Sequence, residues 1–312
     1  LEQAIKLGIN APESCSAGRL FDAVSGLIGI CSYASYHAEA PVLLEQYTIA
    51  DIDDIYPISL ERSISWKSCF SSILNDLKNN FFFITGPNVI ESEEQIMFMA
   101  GQLKAICEKH NLLFVFKTSI DKANRSSPSS YRGLGFEEGI RILKKVKDTY
   151  NIPIITDIHE SYQAELLKDV VDIIQIPAFL CRQTDLLEAA AKTQKIIHVK
   201  KGQFCSSEQM HKCKEKINSF GNNKVLLCER GSFFGYNDLI VDTRNLVWLK
   251  SDTNLVTMDI THCLQQPSQQ KENGLIESGG LREMIPYMAK IAMSMDVNGI
   301  FMEVHNEPDA SK

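Results

Sequence analysis

Leu112-Leu113-Phe114-Val115-Phe116 is an unbroken apolar run, and it leads into Lys117-Thr118-Ser119-Ile120-Asp121-Lys122-Ala123-Asn124-Arg125-Ser126-Ser127-Pro128-Ser129-Ser130-Tyr131-Arg132. A helix-like segment, Phe136–Tyr150, follows, and then a second apolar run, Pro153–Thr156. Short apolar runs without alternation are how strands buried on both faces read. With a helical pattern between them they predict a β-loop-α-β unit whose strands lie parallel. The loop at the first strand's end holds two lysines, two arginines and several hydroxyls. The plainer reading of such a charge run is a solvated turn. Its place at a strand end, where rigid scaffolds carry chemistry, favours a phosphate grip built from Arg, Lys and Ser.

The same unit repeats outward in both directions. Apolar runs at Phe81–Thr85, Leu113–Phe116, Pro153–Thr156, Asp172–Ile176, Ile196–Val199, Lys224–Leu227, Leu255–Met258 and Gly299–Met302 are the expected strands. Helix-like segments lie between them at Ser92–Lys109, Phe136–Tyr150, Ser161–Leu167, Thr184–Thr193, Glu208–Phe220 and Arg282–Met295, and the link between the sixth and seventh runs is less regular. Eight such strands predict an α/β protein closed into a (β/α)8 TIM barrel, with a doubly wound open sheet as the competitor. The strands run out, in order, into Gly86-Pro87-Asn88, Lys117, Asp157, Gln175, Lys200, Arg230, Asp259 with His262, and Glu303 with His305. A barrel gathers these ends at one mouth, where its active site is built. One polar strand end could be packing; eight together point to an enzyme.

Composition narrows the class further. The 312 residues are 44% hydrophobic and 23% charged, which suits a globular protein with one large core or two domains. No run approaches the ~20 apolar residues of a membrane helix, and the start lacks the pattern of a secretory signal. Net charge of −7 argues against nonspecific nucleic-acid binding but not against phosphorylated substrates held by local cations. Nine cysteines without a Cys-x-x-Cys spacing fit reduced thiols in the cytoplasm better than a disulfide framework or a structural zinc site. Residues 1–66 contain no complete fold, 67–80 read as a connector with a leading helix, and 81–312 hold the barrel.

Phe83–Ser311 resembles the 3-deoxy-D-manno-octulosonate 8-phosphate synthase (KDO-8-phosphate synthase) family. The resemblance is carried by Gly86-Pro87-Asn88-Val89-Ile90-Glu91-Ser92, Phe116-Lys117-Thr118-Ser119, Asp121–Ser127, Ser130-Tyr131-Arg132-Gly133, Thr156-Asp157-Ile158-His159, Gln175–Leu180, Val199–Phe204, Glu229-Arg230-Gly231, Asp259-Ile260-Thr261-His262 and Phe301-Met302-Glu303. The most selective string is Lys122-Ala123-Asn124-Arg125-Ser126-Ser127, since the related synthase that takes erythrose 4-phosphate looks like Lys-Pro-Arg-Thr-Ser there. The resemblance implies condensation of phosphoenolpyruvate with arabinose 5-phosphate by a cytoplasmic homo-oligomer, a tetramer in relatives, for KDO or lipopolysaccharide biosynthesis. It implies that Lys122, Lys200 and Arg230 hold phosphoenolpyruvate with Gln203 nearby, and that Asn124, Arg125 and Ser126 receive the sugar phosphate. Lys117, Asp157 and Gln175 would contact the sugar or order the site, and Lys122 and His262 are the candidates for moving protons. Family members that need a divalent metal carry Cys where this chain has Asn88, beside His, Glu and Asp ligands. Asn88 therefore implies the metal-independent class, with no cofactor, and leaves His262 and Glu303 as vestigial ligand positions.

The chain departs from the family pattern in three places. The family continues past Pro308 through an Asp-containing loop and an eighth helix, so a barrel lacking its last helix is expected, and Asp309 does not inherit the ligand role. The loop Cys263–Ser278 is longer than usual and lacks a Pro-Gly-Gly turn. Finally, Asn10-Ala11-Pro12, Ser16–Val24 and Tyr36–Pro41 resemble the end of the carbamoyltransferase that matures NiFe hydrogenases (HypF type). Two alternatives to the synthase follow. One is an inactive barrel that only binds phosphorylated ligands or joins intact subunits. The other is a hydrogenase-maturation fusion fragment.

Overall fold

A computed structural model describes residues 59–60, 64–65, 81–125, 127, 129–233, 238–250, 255–270 and 276–311. Two compact units divide at Asn79 and Asn80. In the first, the described residues form one short antiparallel ladder, Ser59–Leu60 with Ile64–Ser65. The 67–80 connector and the rest of 1–66 lie outside the described residues.

The second unit is a closed barrel of eight parallel strands. They are β1 (Phe82–Gly86), β2 (Leu113–Lys117), β3 (Ile154–Asp157), β4 (Ile173–Ile176), β5 (Ile196–Lys200), β6 (Val225–Glu229), β7 (Leu255–Asp259) and β8 (Gly299–Glu303). Each pairs with the next in sequence, and β8 closes on β1 with Phe301 opposite Ile84 and Glu303 opposite Gly86. Closure removes the sheet edges that an open doubly wound sheet would keep. Seven α-helices are described in this unit: α1 (Glu93–Lys109), α2 (Phe136–Tyr150), α3 (Ser161–Leu167), α4 (Thr184–Lys192), α5 (Ser207–Ser219), α6 (Arg244–Leu249) and α7 (Ile285–Ser294).

Local chemistry sets the helix limits. Ser92 caps α1 by accepting from the Gln95 N–H at 3.1 Å, and Glu93 and Glu94 complement the N-terminal end of its dipole. Ser206 and Gln209 form a reciprocal capping box on α5, as Glu160 and Gln163 do on α3. Asn151, left-handed at φ 48°, ends α2.

Two features differ from the sequence expectation. The long segment after β7 is ordered as a short 3-10 turn, His262–Leu264, and an antiparallel hairpin, Gln265–Gln270 with Ile276–Gly280. Glutamine, serine and glycine dominate it, so it lacks the apolar alternation by which a strand is read. The expected helix Arg282–Met295 is a 3-10 turn, Arg282–Met284, followed by α7, because Pro286 in the first turn favours a helix start rather than a helix interior. The irregular link between β6 and β7 holds a small ladder, Ser232–Phe233 with Leu239–Ile240, and the short α6.

Strand alternation divides the barrel into layers. Outward residues such as Phe116, Ile154, Ile174, Ile197, Leu227 and Ile300 are buried under the helices. Inward residues Ile84, Ile155, Ile173, Leu226 and Phe301 form a separate apolar plug inside the barrel. Moving two residues along a strand returns to the same face. The step from Val115 therefore reaches Lys117, from Ile155 Asp157, from Ile173 Gln175, and from Phe301 Glu303. An apolar floor thus carries a polar layer directly above it.

Candidate active site

Lys117, Asp157, Gln175, Lys200, Arg230 and Asp259 are all buried although polar or charged. Isolated buried charges are too costly to persist, so the question is what each one meets. Lys117 Nζ donates to Glu303 Oε1 and, at 3.2 Å, to the backbone carbonyl of Asn88. Lys122 Nζ lies 3.6 Å from the same Glu303 oxygen, and His262 Nε2 lies 3.5 Å from the other. Behind them Asp259 is a hub. Its Oδ1 accepts from the Thr261 and His262 backbone N–H groups, and its Oδ2 accepts from His262 Nδ1 at 2.8 Å and from Lys200 Nζ. Lys200 Nζ also sits over the Phe301 ring, 3.0 Å from its centre, so the top of the apolar plug carries a cation.

Glycine makes part of this geometry possible. A Cβ on Gly86 would lie 2.0 Å from the Lys117 carbonyl oxygen, and one on Gly133, at φ 132°, 2.2 Å from the Ile120 carbonyl. These close approaches admit no side chain. They let the Lys122 loop fold back over the mouth, where the Lys122 N–H donates to Arg132 O at 2.9 Å and the Tyr131 hydroxyl to Ile90 O at 2.9 Å.

Charge state follows from these contacts. Burial pushes the Glu303 carboxyl up, but Lys117, Lys122 and His262 outweigh it and hold the group well below its ordinary range. Asp259 behaves alike, burial being outweighed by His262 and Lys200, and Asp157 is held down by Lys122, His159 and Lys117. His159 Nε2 stands 3.4 Å from Asp157 Oδ2. Lys117 loses charge stability on burial but recovers more from Glu303 and Asp157, so its ammonium is favoured. Lys122 is the exception: burial, with Lys117 adding to it, lowers its pKa to about 8 despite Glu303.

The structure brings together nearly all the residues singled out from sequence. Lys117, Lys122, Asp157, Lys200, Arg230, His262 and Glu303 form one charged cluster, and Gln175 joins it from β4. Arg125 lies on the loop above, its Nε donating to Tyr131 O at 3.1 Å and its charge felt by Glu303 and Lys122. Asn124 is exposed on that loop, and Ser126 lies outside the described residues. Gln203 is buried beyond β5, its carbonyl accepting from the Phe233 N–H at 3.1 Å. Sequence reasoning noted Asp259 only as a strand end, although its register predicts an inward carboxylate two positions above Thr257. It missed the buried pair Lys201–Glu229, 3.4 Å apart, which joins the residue just after β5 to the end of β6.

In the mouth and its loop Lys117, Lys122, Arg125, Lys200 and Arg230 stand among Asp157, Asp259 and Glu303, with Glu91 also acting on Arg125 and Glu229 on Arg230. Buried Arg125 Nη2, Arg230 Nη1 and Gln203 Oε1 have no hydrogen-bond partner among the described residues. Guanidinium N–H groups held in a buried site without a protein acceptor suit a ligand that brings oxygen anions. The arrangement can therefore bind and orient polyanions and stabilise negative charge that develops between them.

Known proteins give the same direction. Residues 56–312 match the DAHP synthetase I family, and residues 1–109 match the second subdomain of the Kae1-like domain of carbamoyltransferases. A 2-dehydro-3-deoxyphosphooctonate aldolase of Pisum sativum is 56% identical over 239 residues, covering 76% of this chain and 82% of the relative. One from Arabidopsis thaliana is 56% identical over 241 residues, covering 76% and 83%. One from Koribacter versatilis is 48% identical over 231 residues, covering 74% and 82%. With an inward ring of charge at the end of a closed parallel barrel and this degree of identity, the chain belongs to the KDO-8-phosphate synthase (2-dehydro-3-deoxyphosphooctonate aldolase) family, within the DAHP synthetase I group.

Proposed function

We propose that this chain is a transferase that condenses phosphoenolpyruvate with D-arabinose 5-phosphate and water, giving 3-deoxy-D-manno-octulosonate 8-phosphate and inorganic phosphate. The observation that carries the reading is the cluster of buried cations in the mouth, two of whose guanidinium groups keep buried N–H donors without a partner among the described residues. Two anionic substrates repel each other, and a pocket that pre-arranges their counter-charges removes that barrier to their meeting. In this reading Lys122, Lys200 and Arg230 clamp phosphoenolpyruvate with Gln203, and Asn124, Arg125 and Ser126 take the sugar phosphate. Lys117, Asp157 and Gln175 contact or order the sugar.

The bond forms from phosphoenolpyruvate C3 to the sugar aldehyde carbon. Water adds at C2, and phosphate leaves by C–O cleavage. Negative charge grows on the aldehyde oxygen, so the Lys and amide donors around it act most strongly in the transition state. His262, braced by Asp259 on one nitrogen and facing Glu303 with the other, is placed to pass a proton. Lys122, with its pKa lowered to about 8, can also exchange one near neutral pH.

The reading includes metal independence. Asn88 supplies an amide where a thiolate would be the better ligand for a borderline metal. Glu303 already meets the Lys117 ammonium, with Lys122 and His262 next to it, so a dication placed there would stand against two ammonium groups. These residues fit a metal poorly. The reading also places the protein in the cytoplasm as a homo-oligomer, which fractionation and light scattering on the purified protein test. Among the described residues no helix is long and apolar enough to cross a membrane. Phosphate release that requires both substrates tests the central assignment, and release from phosphoenolpyruvate alone would count against it.

A further inference from the structure

His198 takes no part in the chemistry proposed above, yet it is fully buried inside the barrel. It sits in the middle of β5, one inward step below Lys200, with Gln175 opposite it on β4 and Leu226 opposite it on β6. Its ring lies nearly parallel to Phe301, at 17° with centres 6.0 Å apart. Both nitrogens are engaged. Nδ1 lies 3.2 Å from Gln175 Oε1, and Nε2 lies 2.9 Å from Thr257 Oγ1.

These contacts fix directions. An amide oxygen only accepts, so Nδ1 must carry the hydrogen and donate to Gln175. In a neutral ring Nε2 is then the acceptor, and the Thr257 hydroxyl donates to it. Burial, and the Lys200 ammonium after it, favour the neutral ring by pushing its pKa well below the ordinary value. With its oxygen turned down to His198, the Gln175 amide has its NH2 left for the mouth. That sense suits anionic and hydroxylated substrates, whose oxygens accept, whereas an upward carbonyl would meet them with like partial charge.

We propose that His198 is a positioning residue that acts through Gln175, locking its amide so that the NH2 donates to an oxygen of the sugar phosphate. The proposal rests on the synthase reading for the identity of that oxygen's owner, while the contact itself stands on geometry alone.

Two measurements test it. Ring nitrogen-15 spectra of the intact chain should show His198 protonated on Nδ1 and bare on Nε2; the opposite tautomer, or a charged ring at neutral pH, would overturn the locked orientation. In kinetics, His198→Phe should raise KM for arabinose 5-phosphate by roughly five- to tenfold, the worth of about one hydrogen bond, and leave KM for phosphoenolpyruvate within about twofold. His198→Asn, which can offer an N–H in place of Nδ1, should restore most of the loss. In a Gln175→Ala background His198→Phe should add less than about twofold, since the residue through which it acts is gone. Additive losses, or equal effects on both substrates, would make His198 a plain structural group. A folded wild-type chain that releases no phosphate would refute the synthase reading and leave the contact to be decided by the nitrogen spectra.

Discussion

Lys117 and Glu303 meet across a strand that separates them. They lie on β2 and β8, the two neighbours of β1, and the β1 residue beside Glu303 is Gly86. With no side chain on Gly86, the inward lysine and carboxylate close over it into a buried ion pair.

Gly86→Ala should therefore disrupt both fold and site. Its Cβ would overlap the Lys117 carbonyl oxygen at 2.0 Å, and that atom is backbone with nowhere cheap to go. A loss of at least about 2 kcal/mol in urea melts is expected, with activity falling further than stability. A variant as stable and active as the parent would show that the close approach is unimportant.

Removing one partner of the pair leaves the other charged and buried. Glu303→Gln should cost roughly 3–5 kcal/mol at neutral pH. The carboxyl is held well below its ordinary value of 4.5, so the unfolded chain takes up its proton first as pH falls. The stability Glu303 supplies is complete above about pH 4.5 and fades as pH drops towards its folded value. Melts taken in steps from about pH 7 to pH 3 should show the gap between parent and variant narrowing. A constant gap would contradict the ion-pair account.

Lys122 has the opposite linkage. Its pKa is lowered from 10.5 to about 8, so between those values the unfolded chain holds a proton that the folded chain lacks, and this group's contribution to stability rises with pH there. Below pH 8 the charged form costs the free protein on the order of 3 kcal/mol. An anionic substrate beside it should restore the charge. Phosphoenolpyruvate binding near about pH 8.5 should thus take up a fraction of a proton, read by calorimetry in buffers of different ionisation enthalpy, and Lys122→Met should abolish the uptake. Proton release on binding would reverse the assigned role.

Arg125→Ala should raise KM for arabinose 5-phosphate by ten- to a hundredfold, on the order of a lost charged hydrogen bond to phosphate, with a much smaller change for phosphoenolpyruvate. Steady-state kinetics with each substrate varied in turn decides it. Equal effects would mean that the arginine serves the whole field of the mouth rather than one phosphate.

Much of this architecture was legible in the chain because barrel strands buried on both faces read as apolar runs. Ile173-Ile174-Gln175-Ile176 is such a run, and its single polar residue marks the inward face near the mouth. The strands were found within a residue or two, and the polar strand ends found the cluster. What escaped depends on pairing across the barrel. The hairpin after β7 has no apolar alternation, and its two strands pair with each other apart from the barrel sheet. His198 reads as one polar interruption of Ile196–Val199, and its meaning appears only when Gln175 and Thr257 are brought beside it from other strands. The Lys201–Glu229 pair was hidden likewise: each residue reads as a neighbour of a site cation until the barrel closes.

The most direct test of the account is phosphate release by the purified chain given phosphoenolpyruvate with arabinose 5-phosphate, with erythrose 4-phosphate, or alone, each with and without chelator. The account predicts release only with phosphoenolpyruvate and arabinose 5-phosphate together, at a rate the chelator leaves unchanged. Release that favours erythrose 4-phosphate, that ceases with chelator, or that never occurs from folded protein would contradict, in turn, the sugar assignment, the metal independence and the synthase itself.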